Sequence, residues 1–402
     1  MSRRAVLWVA FVAVHLQVAV LGFVLPNQPM GDVVNVYGPW SLRALEGWGV
    51  VGISEPWVYP QLAIVPMVLA HGLAWLLGYP WAWAVLITVV DAVAFALLIG
   101  AGRSNSRAWA AWFWLAAIIA LGPVGMYRID GITVPLALIG CLLLIPRPWL
   151  ASVLLAVATW IKVWPAALLA AAVIAVRQRL IVVIGALAVS AVVLIAIIAA
   201  GGAGNAFGFI SGQTGRGLQI EAPVSTFYLW LTVAGVPDAQ IYYDAGLNTF
   251  QVTGRYLDAV VAAMTPVLFV AVVAVAALGV WAHLRGVRVL RLLPPLALTL
   301  VLTLMVFNKV GSPQFYCWLV VPILLGILWH RARWLVPTVL GLLVMLLTQW
   351  IYPLTYHLLL EANAATVALV TVRNALLCVL LGWAVRQIVH AGRTARTRMI
   401  TT

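Results

Sequence analysis

Met30-Gly31-Asp32-Val33-Val34-Asn35-Val36-Tyr37 decides how this chain is read. The stretch follows directly on an apolar run, Ala5 to Leu25, and places a carboxylate where that run ends. Only 8% of the 402 residues are charged, so an acid at the rim of such a segment stands out. A charge at that depth is costly without a partner or a task, which makes Asp32 a functional candidate. Its structural alternative is a helix N-cap, a position that Asp favours and that the preceding Gly31 would suit.

Composition sets the class around this stretch. The chain is 65% hydrophobic, with a mean hydropathy of +1.10, against roughly 45–50% apolar residues in soluble domains. It reads as an all-α polytopic membrane protein. No polar linker divides it, so residues 1–402 are expected to form one membrane domain. The net charge of +13 would suggest nucleic-acid binding in a soluble protein. Here the arginines sit in short clusters between apolar runs, the pattern of cytoplasmic loops, and no nucleic acid is expected. Cys141, Cys317 and Cys378 lie in or beside apolar runs without a CxxC pair and read as small buried hydrophobes. Ala5 to Leu25 is long for a signal peptide and no small-x-small cleavage site follows. It reads as an uncleaved first span whose start Arg3 and Arg4 hold in the cytoplasm.

Twelve crossings are expected, over residues 5–25, 81–101, 108–124, 132–145, 149–161, 165–176, 180–200, 257–282, 292–307, 316–329, 335–353 and 366–387. Residues 60–77 are also apolar enough to enter a membrane, and charge decides their place. Suppose they lie in the outer interface without crossing. Then 16 of the 23 Arg and Lys residues fall on one side, in loops from Arg3 and Arg4 to the tail after Arg386. Nine of the ten acids fall on the other side, and among ionisable residues only Asp91 is clearly within a span. That bias puts both termini in the cytoplasm. Residues 149–176 are expected to form a short hairpin turning at Lys162-Val163-Trp164-Pro165. Each half, at about 12 residues, covers only about 18 Å of a hydrocarbon core of about 30 Å. A turn at that depth must line a cavity, because lipid cannot satisfy its backbone groups. Two outer loops are long: residues 26–80, with a surface helix expected over Trp40–Glu46, and residues 201–256, with amphipathic stretches near Thr226–Val233 and Ala239–Phe250. Residues 386–402 read as a basic cytoplasmic tail, an orientation signal able to touch anionic lipid.

On the outer side, polar residues fall in short strings. These contain Asp32 and Tyr37; Glu55, Tyr59 and Gln61; Arg128 and Asp130; Lys162; Arg216 and Glu221; Lys309, Ser312 and Gln314; and His357. The only two lysines, Lys162 and Lys309, are both among them. An ammonium is a compact point charge able to bind phosphate, and Gly311-Ser312-Pro313-Gln314 after Lys309 could help cradle one. The plainer readings are that each lysine neutralises a carboxylate at a helix end, that Arg216 pairs with Glu221, and that Arg128 pairs with Asp130. By the same reasoning Asp91 hydrogen-bonds a neighbouring helix and His357 is interfacial. No HExxH, DxD, Walker or GxSxG pattern occurs, and no metal ligands are expected.

Taken together, these strings resemble the GT-C class of membrane glycosyltransferases, and within it the GT87 family of polyprenyl-phosphomannose-dependent α-mannosyltransferases. The matching features, in order, are Gly31-Asp32…Tyr37, Tyr59-Pro60-Gln61, Lys162…Pro165, Arg216-Gly217-Leu218-Gln219…Glu221 and Ser312-Pro313-Gln314-Phe315-Tyr316. The chain departs from the family at Gln61, where members often carry a second proline. The likeness covers residues 1–390 and is greatest to the actinobacterial α-1,2-mannosyltransferases of phosphatidylinositol mannoside synthesis.

The resemblance implies a GT-C fold in a bacterial plasma membrane, with the active site on the extracytoplasmic face. It implies a polyprenyl-phosphate mannose donor as co-substrate, no other cofactor, and a glycolipid acceptor. Asp32 takes the place of the family's catalytic carboxylate. Lys309, Lys162, Arg216, Arg128, Ser312 and Gln314 become candidates for holding donor phosphate or sugar. Tyr37, Glu55, Tyr59, Gln61, Glu221 and His357 become candidates for acceptor binding or support. The chemistry is self-consistent: a phosphate leaves readily, so one base and a cationic cradle suffice. Arabinofuranose or glucose donors are alternatives, as is a lipid or solute transporter, which would place ionisable residues near the bilayer midplane.

Overall fold

The computed structural model describes residues 1–212 and 215–400, with side chains described to residue 395. Arg396 and Arg398, at the end of the basic tail, therefore lie outside the described side chains. Helix accounts for 76% of the structure. In order, the helices are α1 (Arg3–Val24), α2 (Gly38–Leu45), α3 (Ile64–Leu77), α4 (Tyr79–Ile99), α5 (Asn105–Tyr127), α6 (Ile129–Leu143), α7 (Pro148–Ile161), α8 (Ala166–Ala175) and α9 (Arg179–Ala199). There follow α10 (Gly208–Ser211), α11 (Ser225–Val233), α12 (Leu257–Leu284), α13 (Val289–Val306), α14 (Val320–His330), α15 (Leu335–Gln349), α16 (Tyr356–Leu360) and α17 (Ala364–Ile400). Long apolar runs become helices because a helix satisfies every peptide group within one segment, which hydrocarbon surroundings demand.

Eight segments among the described residues are long and apolar enough to cross a membrane: α1, α4, α5, α9, α12, α13, Pro313–Leu354 and Ala364–Ala395. The chain is thus built as a polytopic membrane protein. All twelve expected crossings are helical, but they do not all meet the length requirement. Pro313–Leu354 folds as α14 and α15, split by a 3-10 turn at Arg331–Trp334. Helices α6, α7 and α8 have 15, 14 and 10 residues, and even 15 residues rise only about 22 Å. Residues 149–176 are two helices, as expected. The backbone turns extended at Lys162 (φ −150°, ψ 137°) and helix resumes at Ala166, directly after Pro165. Residues 60–77 open with a 3-10 turn at Gln61–Ala63 and continue as α3, which packs along α2 and α4.

One element departs from the all-helical expectation. Across the expected amphipathic stretch Ala239–Phe250 and two residues beyond it, Ile241–Asp244 (β1) and Thr249–Val252 (β2) form an antiparallel hairpin, with Ile241 opposite Val252. Aromatic and β-branched residues crowd both strands and favour extended chain. Asp244 Oδ1 closes the turn by accepting from Leu247 N at 3.0 Å.

The bundle has two chemically distinct ends. Arg3 donates to Asn105 Oδ1 at 2.6 Å, so α1 and α5 begin together. Arg331 Nε donates to Ser106 Oγ at 2.6 Å, and His330 bonds the Leu290 carbonyl at 2.7 Å, which brings three arginine-bearing loops to that end. About 33 Å along, at 1.5 Å per residue, α1 and α5 finish together. There Tyr352 donates to the Asn27 carbonyl at 3.0 Å and accepts from Arg128. Over this second end folds the 201–256 loop. Its own small core of Leu218, Ile220, Tyr228, Leu229 and Val252 packs on Ile351, Leu359 and Val367.

If α1 and α5 both cross the bilayer, cysteines placed at Arg103 and Glu46 should react with an impermeant maleimide from opposite sides of sealed vesicles. Labelling of both from one side would rule that crossing out.

Candidate functional site

The polar strings converge at the end away from the arginine loops. Helix begins at Gly31, and Asp32 lies within it (φ −64°, ψ −35°) without making a side-chain cap. The N-cap reading is thereby corrected: the Asp32 carboxylate pairs with Arg128 Nη1, and both side chains are largely shielded. A π-helical turn over Val33–Tyr37 follows. It carries Tyr37 fully inside, where its hydroxyl accepts from the Ile129 N–H at 3.0 Å. Tyr37 therefore fixes the junction between α5 and α6, next to Arg128.

Arg128 is the extended residue between those helices. Nη1 goes to Asp32 and Nη2 to Tyr352 Oη at 3.3 Å, while Nε is buried with no acceptor among the described residues. The expected Arg128–Asp130 pair does not form, because residues two apart at a helix start do not face one another. Asp130 turns inward instead and is fully buried. Its Oδ1 accepts from Trp318 Nε1 at 2.7 Å, and its Oδ2 stands 3.4 Å from Lys162 Nζ.

Lys162 thus neutralises a carboxylate at a helix end, and it does more than that. Its ammonium lies 4.4 Å from the centre of the Tyr59 ring and 5.9 Å from that of Phe315, within cation–π reach. Burial lowers its proton affinity below the ordinary lysine range, and Asp130 works against that shift. The turn that presents it is pinned by Trp164, which donates to Thr133 Oγ1 at 2.7 Å and stacks on Trp318. Burial, then the charge of Asp130, pushes the Tyr59 hydroxyl up to about 12, so this ring stays neutral beside the ammonium.

Arg216 and Lys309 complete the basic side of the site. The Arg216 charge is close enough to lower the proton affinity of Lys162 and of Lys309, in each case after the larger effect of burial. Arg216 Nε is buried without an acceptor among the described residues. Lys309 is 5% exposed, and its carbonyl accepts from Gln219 N at 3.0 Å, which ties this loop to the 201–256 loop. Gly311 lets the two backbones meet, since a Cβ there would collide with the main chain of Ala222. Ser312 donates to Gln314 Oε1 at 2.5 Å, so that hydroxyl's proton is already committed to a neighbour.

The expected Arg216–Glu221 pair is also corrected. Glu221 Oε2 accepts from Arg373 Nη1 at 2.6 Å, and Arg373 Nη2 donates to the Glu221 carbonyl at 3.1 Å. Arg373 lies in α17, fully buried, over the Tyr316 ring at 4.8 Å. Next to it Asn374 donates to Thr226 Oγ1 at 2.9 Å, so one turn of α17 anchors the 201–256 loop. The sequence reading missed Arg373. Its signal was present, because an arginine inside an apolar run is unusual and needs a partner. Asp91 is therefore not alone within a span. It hydrogen-bonds a neighbouring helix as expected, with His15 Nε2 at 3.2 Å.

Three candidates have other roles. Gln61 Nε2 donates to the carbonyls of Gly52, Asn205 and Ala206, tying the two long loops together. Glu55 makes an exposed pair with Arg43 at 3.3 Å, and His357 is exposed on α16. No cluster of three His, Cys, Asp or Glu side chains suited to a metal occurs among the described residues. What remains is a cluster of Arg128, Lys162, Arg216, Lys309 and Arg373 with Asp32, Asp130 and Glu221. Among the described residues these are five cations and three carboxylates, a net positive arrangement suited to a phosphate.

Arg373→Ala would leave Glu221 buried without its partner and should destabilise the fold by about 3–5 kcal/mol. Thermal unfolding of the purified protein would register this, with Arg373→Lys intermediate. An unchanged melting temperature would mean that the pair does not hold the loop.

Comparison with protein-family models finds no match, and comparison with curated proteins finds none either.

Proposed function

We propose that the chain is an inverting glycosyltransferase that moves mannose from a polyprenyl-phosphate donor to a hydroxyl of a glycolipid acceptor, forming an α-1,2 linkage. The observation that carries this reading is the convergence of Asp32 with an excess of cations at one end of a membrane bundle. The sequence likeness to the GT87 family supplies the sugar and the acceptor, a phosphatidylinositol mannoside. In this reading the bundle has a GT-C fold with twelve crossings in a bacterial plasma membrane. The arginine end and both termini are cytoplasmic, and the Asp32 end faces outward, in keeping with the positive-inside bias.

The acceptor hydroxyl oxygen bonds to the anomeric carbon as the bond from that carbon to the phosphate oxygen breaks. The hydroxyl proton passes to the Asp32 carboxylate, and the electron pair of the broken bond leaves on polyprenyl phosphate. Inversion requires base and leaving group on opposite faces of the sugar ring. Arg128 adjoins Asp32 in the resting site, so it is not on the far side. That leaves Lys162, Arg216 and Lys309 as the cradle for the departing phosphate, with the N–H of Arg216 Nε, which has no acceptor among the described residues, as a donor. The Arg128 Nε–H is a second such donor, and a phosphate drawing Arg128 away would release Asp32 to act as base. Glu221 and Arg373 position the loop bearing Arg216.

The paired His15 and Asp91, set in the apolar body of the bundle, favour a transporter instead. Both readings meet in one experiment. Radiolabelled polyprenyl-phosphate sugars are incubated with the purified protein and extracted membrane glycolipids, and the product is identified. Formation of a new glycosidic bond supports the transferase; movement of substrate across liposomes without one supports the transporter.

Within the transferase reading, Asp32→Asn should cut turnover by about 10²–10⁴-fold, the usual contribution of a general base, while the protein still inserts. Turnover at the wild-type rate would remove Asp32 from the mechanism.

A further inference from the structure

A cleft of about 250 Å³ lies at the arginine end, between the start of α5, the end of α6 and the end of α14. Its lining is divided in character: Ser104, Ser106 and Arg107 are polar, and Ile145, Leu328 and Trp329 are apolar. Ser106 is 8% exposed, and its hydroxyl accepts from Arg331 Nε at 2.6 Å, which draws a second guanidinium to the same place. Arg147 follows Pro146, itself part of the lining. Arg3 reaches Asn105 in the first turn of α5, and the start of that helix, capped by Ser104 Oγ on the Arg107 N–H, adds partial positive charge. None of the ten acids of the chain falls within residues 1–5, 100–108, 143–150 or 328–336. The charges around the cleft thus have no carboxylate in these segments to balance them.

We propose that this cleft binds the phosphate headgroup of an anionic phospholipid. Positive charge without local carboxylates calls for an anion from outside the chain. The apolar half of the lining calls for an anion that carries methylenes, which a lipid has and inorganic phosphate lacks. The site lies at the far end of the bundle from Asp32 and does not depend on the glycosyl-transfer reading.

The test uses the full chain in detergent, titrated with phosphatidylglycerol, phosphatidylcholine or inorganic phosphate. Retention is read by native mass spectrometry and stabilisation by thermal shift. Phosphatidylglycerol should be retained over phosphatidylcholine and should raise the melting temperature. At roughly a fivefold gain for each arginine near a lipid phosphate, the double variant Arg107→Gln/Arg331→Gln should bind about 30-fold more weakly. Arg107 also donates to the carbonyls of Leu97 and Leu98, so that variant disturbs the end of α4. Ile145→Trp fills the cleft with every charge intact and should lower affinity as well. Arg285→Gln, outside the cleft, should bind as the wild type does. Equal retention of both lipids, an equal loss in Arg285→Gln, no loss in Ile145→Trp, or equal stabilisation by inorganic phosphate would each overturn the proposal.

Discussion

A charge left alone in an apolar interior costs several kcal/mol, and a partner offsets that cost only when geometry is good. Among the described residues three shielded ion pairs meet this constraint, Asp32 with Arg128, Asp130 with Lys162 and Glu221 with Arg373, and a hydrogen bond joins Asp91 to His15. Each joins segments far apart in sequence. The loop after α1 is bound to the junction of α5 and α6. The first turn of α6 is bound to the break between α7 and α8, and the 201–256 loop is bound to α17. The apolar helices supply burial, and the pairs fix which helix ends meet.

That pairing also shapes what the site can do. Lys162 and Asp130 hold each other beneath Tyr59, with Trp318 on the second carboxylate oxygen, so the ammonium is fixed and not swinging in solvent. Arg373 is committed to Glu221 through two hydrogen bonds and acts by holding the 201–256 loop. Arg128 stands between these cases, since it neutralises Asp32 yet keeps one buried N–H without an acceptor among the described residues. A phosphate arriving at Arg128 competes with Asp32 for the same guanidinium. Binding of an anionic substrate and release of the carboxylate are thus coupled by simple electrostatics.

The fold was largely legible because hydrophobic runs are a one-dimensional signal. The twelve apolar segments are helical, since helix is what an apolar run can do away from water. Eleven of them lie within a few residues of their expected bounds, while the last, expected over residues 366–387, is part of α17, which runs on to Ile400. The break at Lys162–Pro165 was legible too, through a proline and a lone lysine between two apolar runs. The β1–β2 hairpin was not, because a dozen residues with aromatics at short spacing fit a helix face and a strand face alike. The candidate site was legible as an inventory: Asp32, Arg128, Lys162, Arg216, Glu221 and Lys309 do gather at one end of the bundle.

Sequence alone determined that the chain is a helical membrane protein, that 16 of its 23 basic residues lie in segments without acids, and that few residues can carry chemistry. Tertiary structure decided who pairs with whom. Arg128 passes over Asp130 for Asp32, because residues two apart at a helix start point different ways. Glu221 passes over Arg216 for Arg373, which packing of the 201–256 loop on α17 brings within reach. Periodicity and composition act along the chain; electrostatic partners are chosen across it, where only packing brings them within reach.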